Sequence, residues 1–207
     1  MTDGRRVTNR LERWSPTLFL VGGVVLIGFA ASLAAIGLMD MSVPRNIFAG
    51  AGFSLVFLGL LGLYPRLADQ SPLLAGAGAV FAVIGAVGFT LTFVLGVAEV
   101  VEITPPPWLE AVQLLNIVGM VLGFVLVGVA SLRTNTHART LGVLLLVPAI
   151  VFAVNIARVA VLGSWTPSWA PFLLGSLQAL AMLTIGYSLR SASVPPDGAE
   201  RPTDTAA

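Results

Sequence analysis

Side chains able to do chemistry are scarce in this chain of 207 residues, and the most unusual of them interrupt long apolar runs. Gln113 and Asn116 lie three apart, Asn155 and Arg158 lie three apart, and Gln178 stands alone in a later run. Residues three apart share a helix face, so each pair points one way. Amides and a guanidinium neither attack nor transfer a group readily; they recognise, by hydrogen bonds to polar or anionic partners. Glu99, Glu102 and Glu110 flank the start of the run that holds Gln113 and could neutralise Arg158. At about 1.5 Å per residue, Asn116, Asn155 and Gln178 fall roughly 10–13 Å below one end of their helices, and Arg158 roughly 6–8 Å. That expectation is a small polar pocket made by Gln113, Asn116, Asn155, Arg158 and Gln178, with one of the three glutamates against the arginine.

Other chemistries lack their residues. There is no cysteine, which removes thiol catalysis, disulfides and cysteine metal sites, and the single His137 makes no metal pair. His137 sits in a short polar loop, where the plain expectation is a solvated side chain and the sharper one a phosphate contact. Ser54 and Ser176 have no histidine or lysine within the apolar runs to activate them. No run carries paired aspartates and no Walker A pattern occurs. The expectation is a non-enzymatic protein without a cofactor or bound metal. A formal net charge of +1 gives no basic footprint for nucleic acid.

The elements that hold these residues follow from composition. The chain is 57% hydrophobic and 10% charged, with a mean hydropathy of +0.94, whereas soluble domains carry about 25% charged residues. Spanning a bilayer takes roughly 20 apolar helical residues. Six runs qualify: Thr17–Met39, Ile47–Tyr64, Leu73–Ala98, Trp108–Leu132, Leu141–Gly163 and Ala170–Leu189. Continuous stretches such as Leu18–Phe29 lack the alternation of barrel strands. The fold class is therefore all-α: a polytopic six-transmembrane-helix bundle over residues 17–189. Residues 1–16 would be a cytoplasmic segment and 190–207 a disordered cytoplasmic tail. Arg5, Arg6, Arg10, Arg13, Arg66, Arg133, Arg139, Arg190 and Arg201 fall on one side and only Arg45 in a loop on the other. Positive residues stay inside, so both termini are expected in the cytoplasm of a cell whose plasma membrane the chain crosses. Trp14, Tyr64 and Tyr187 then mark the inner interface, and Trp108, Trp165 and Trp169 the outer one. The amino-terminal apolar run, at about 22 residues, exceeds the about 7–15 of a signal peptide's apolar h-region.

Two spans start and end alike. Pro107-Trp108 opens one that closes Ser131-Leu132-Arg133, and Ser168-Trp169 opens another that closes Ser188-Leu189-Arg190. Val43-Pro44 to Tyr64-Pro65-Arg66 echoes them, so the chain reads as three helical hairpins, related by duplication or alike because such spans share needs. Gly119 and Gly123 form a GxxxG, which serves packing inside the bundle or a homo-oligomer or other membrane partner. Asp40 has Arg45 nearby for a loop ion pair. The length, topology and signatures Leu63-Tyr64-Pro65-Arg66 and Ser188-Leu189-Arg190 resemble small, themselves uncharacterised, six-span proteins of halophilic archaea and other GC-rich prokaryotes. The resemblance implies a six-span prokaryotic membrane protein and brings no functional residue with it.

Two functions are compatible with these residues. One is a non-enzymatic accessory, scaffold or lipid-interacting component, in which the amides are interhelical glue worth about 0.6–2 kcal/mol each. The other is a small-solute or ion transporter or channel that uses the pocket. Inner halves almost free of polar side chains favour the first.

Overall fold

Backbone groups in lipid must be satisfied within the chain, and continuous apolar runs do this as helices. The computed structural model describes residues 2–104, 106, 109, 111–134, 139–163 and 167–192, with side chains from Arg10 onward. Trp108, Glu110, His137, Trp165 and the tail beyond Ala192 lie outside the described residues. Every described regular element is helical: α1 (Thr2–Met39), α2 (Arg45–Gly62), α3 (Tyr64–Ala68), α4 (Pro72–Val100), α5 (Val112–Val118), α6 (Phe124–Arg133), α7 (Arg139–Leu162) and α8 (Ala170–Ala192). A π-helical turn, Gly119–Gly123, joins α5 to α6. Six stretches are long and apolar enough to cross a membrane, as in a multi-pass membrane protein. They are Arg10–Met39, Arg45–Ala68, Pro72–Val100, Val112–Arg133, Arg139–Leu162 and Ala170–Ala192.

Local chemistry sets the boundaries. Pro72 occupies the first turn of α4 and Pro65 that of α3, where a missing N–H costs nothing. Asp40, Glu102 and Gly163 adopt positive φ just after α1, α4 and α7, the left-handed residue that commonly ends a helix. The helix of the first span runs back through the expected amino-terminal segment, α1 being continuous from Thr2. Ser15 Oγ donates to the Gly59 carbonyl at 2.7 Å, and Glu12 pairs with Arg66, so α1 is docked on α2 and α3 from Glu12 onward.

The helices form a closed ring in chain order. α1 packs against α2 and α8, α2 against α4, α4 against α5 and α6, α6 against α7, and α7 against α8. Six antiparallel spans return the chain to its starting side, here called the terminal side; the opposite is the far side. Glycine sets the spacing at two interfaces. An added Cβ on Gly119 would overlap Gly85 Cα, and one on Gly50 would overlap the Phe93 backbone. The GxxxG of the fourth span thus packs inside the bundle against α4. Toward the terminal side the ring is filled by Phe57, Leu60, Met120, Phe124, Leu145, Met182 and Ile185, all fully or almost fully buried. Phe29, Phe53, Phe89, Phe57 and Phe124 form a chain of ring contacts with centroids 4.6–6.4 Å apart. Exposed Trp14, Tyr64 and Tyr187 lie toward the terminal side and exposed Trp169 at the far side.

Candidate functional site

A ring of six helices has a centre, and its far half is not filled. There a cavity of about 540 Å³ opens, lined by residues from all six spans. Phe53 and Phe89, each almost fully buried, line it on the side where the aromatic chain continues to Phe57 and Phe124. The cavity is blind: below those rings lies close-packed side-chain material.

Gln113, Asn116, Asn155, Arg158 and Gln178 all line this cavity. Their convergence follows from register: α5 enters the bundle from the far side, α7 leaves toward it, and α8 starts there. The structure adds Arg45 and Asn46 from the first turn of α2 and Thr92 from α4. Among the described residues the polar lining is thus two arginines, five amides and one threonine, with no carboxylate.

Hydrogen bonds fix part of this set and leave part open. Arg158 Nη2 donates to Asn155 Oδ1 at 2.9 Å, one turn back on α7. Its Nε is buried with no partner among the described residues. Asn116 Nδ2 donates to Thr92 Oγ1 at 2.8 Å, and Thr92 donates onward to the Gly88 carbonyl at 3.0 Å. Asn116 Oδ1 lies so close to Gly88 that an added Cβ there would come within 2.5 Å of it, and it too is buried without a partner. Gln178 is only 5% exposed and lines the same cavity. Buried polar groups are normally satisfied, so the two open groups at one cavity, Arg158 Nε and Asn116 Oδ1, are a feature of the site.

Two of the three expected ion-pair partners lie elsewhere. Glu99 Oε1 accepts from Asn46 Nδ2 at 2.7 Å, and neither Glu99 nor Glu102 pairs with Arg158 among the described residues. Glu99 is on the last turn of α4, beside the first turn of α2, so its neighbour is Asn46. Glu102 is exposed on its left-handed turn, and Glu110 lies outside the described residues. Nor does Arg45 pair with Asp40; it lines the cavity while Asp40 is exposed. Ser54 shares a hydrogen bond with Thr90 at 3.1 Å, a tie between α2 and α4.

Sequence reasoning missed Arg45 and Asn46 because they adjoin a loop and look solvated. Thr92 was silent because a threonine bonded to its own helix is ordinary in an apolar span; its spacing from Glu99, two turns of one helix, was the available signal. Among the described residues no cluster of His, Asp or Glu could hold a metal ion. No protein family, curated protein or solved structure matches the chain, so its residues alone carry the functional argument.

Proposed function

We propose that this is a non-enzymatic, lipid-interacting membrane component that binds an anionic ligand in the far-side cavity. The termini are taken as cytoplasmic and the cavity as facing outward in the plasma membrane, following the arginine distribution. One observation carries the reading: a cavity lined by Arg45, Arg158 and five amides has no carboxylate among its described lining residues. Two guanidinium groups with no paired carboxylate among the described residues, in a partly desolvated space, favour an anion, because each is attracted to it more strongly than in water. Guanidinium is suited to phosphate and carboxylate through its fixed fork of donors. The open Nε of Arg158 and the amide of Gln178 supply further donors.

A transporter or channel is the second reading, and it shares the same cavity. The Phe53–Phe89–Phe57–Phe124 packing speaks against a polar route to the terminal side. The positive lining speaks against a cation path.

Thermal unfolding in mild detergent tests the proposal. Glycerol 1-phosphate should raise the midpoint in a concentration-dependent way, by about 2.7 kcal/mol at a hundred times its Kd, and glycerol should not. Arg158→Gln should weaken that effect at least about tenfold. Equal responses to both compounds would refute an anion site.

A further inference from the structure

We infer that the ligand is an anionic membrane lipid of the far-side leaflet, entering sideways between α5 and α7, with its headgroup on Arg158 and its acyl chains outside the bundle. This rests on the anion-binding reading above and names the source of the anion. The first observation is a thin place in the ring at its far side. α7 packs along α6 and reaches the π-helical turn, while packing between α7 and α5 is at most slight among the described residues. Toward the terminal side α6 and α7 are in close contact, with Gly128 against Leu146 and Gly142 against Leu132. Above that contact the π-helical turn shifts the fourth span and the buried Pro148 interrupts hydrogen bonding in α7.

The second observation is that residues at this gap belong to the cavity and the outside at once. Ile156 and Val159 line the cavity and are 36% and 57% exposed. On the α5 side Gln113 lines the cavity and is also exposed. The opening is lateral, toward lipid, and a ligand using it must tolerate lipid.

Size and depth then select the ligand. A cavity of about 540 Å³ suits a headgroup and is too small for a diacyl lipid, so the chains must remain in the gap. Arg158 lies four residues before the end of α7, about 6 Å along the helix axis. That is near the edge of the hydrocarbon layer, where lipid phosphates reside. Independent of the gap, Arg158 Nε is buried without a partner among the described residues, on a side chain that lines the cavity beside the 5% exposed Gln178.

Brominated lipids report this arrangement, because bromine on acyl chains quenches a nearby fluorophore. The chain has no cysteine, so bimane can be placed singly through Ile156→Cys at the gap and Val80→Cys on the exposed face of α4. In mixed bilayers, dibrominated phosphatidylglycerol should quench bimane at the gap at least about twofold more than dibrominated phosphatidylcholine at equal content. At Val80→Cys the two lipids should quench alike, and adding Arg158→Gln should abolish the excess at the gap. Equal quenching at both sites, with glycerol 1-phosphate still stabilising the protein, would overturn the lipid inference and leave the anion site standing. Equal quenching with no stabilisation by glycerol 1-phosphate would overturn both.

Discussion

The amide of Gln178 belongs to a residue only 5% exposed and faces the cavity it lines. Gln178→Met nearly conserves volume. It should therefore change the stability of the ligand-free protein by less than about 1.5 kcal/mol in reversible unfolding while weakening glycerol 1-phosphate binding. Unchanged binding would mean the amide does not serve the ligand. At this scale the sequence was informative about depth and uninformative about partners. An amide or arginine inside an apolar run stands out, and five such residues do meet at one cavity. Which carboxylate reaches which donor depends on contacts between helices. Glu99 faces Asn46 because α2 and α4 are adjacent, and spacing along either helix does not encode that adjacency.

Among the elements, the fourth span differs most from its expected form. Gly119-Met120-Val121-Leu122-Gly123 has an ordinary apolar composition, yet forms a π-helical turn. The turn begins at the interface with α4, where Gly119 rests on Gly85 with no room for a side chain. Gly119→Ala should then destabilise by about 1–3 kcal/mol through overpacking. Gly76 on α4 is the control, since nothing lies within 4 Å of its missing Cβ. Gly76→Ala should be neutral or stabilising by up to about 1 kcal/mol, from helix propensity. Similar effects of the two changes on the unfolding midpoint would contradict the close-contact account. Span number was legible because hydropathy is local. The boundary between the amino-terminal segment and α1 was not, since Ser15 and Glu12 are polar but docked.

At the scale of the whole molecule, chain order around a closed ring leaves a blind, positively lined cavity at the end away from the termini. Side assignment rests on arginine distribution and is open to a direct check. Ser168→Cys, at the far side, should react with an impermeant maleimide added outside cells, whereas Asp69→Cys, in the turn after α3, should be protected until the membrane is permeabilised. The reverse pattern would place the cavity toward the cytoplasm. Ring closure itself was not legible: α1 and α8 are distant in sequence, and their contact uses the paired surfaces of Gly23 against Leu183 and Gly186 against Leu20. The central claim, that this cavity holds an anion through Arg45 and Arg158, is tested most directly by native mass spectrometry of protein extracted from its membrane in mild detergent. The wild-type chain should retain an adduct with the mass of an anionic lipid or metabolite, and the Arg45→Gln, Arg158→Gln double variant should lose at least about nine-tenths of it, as a tenfold weaker Kd requires at low occupancy. An adduct retained undiminished by the double variant, or none on the wild type, would contradict it.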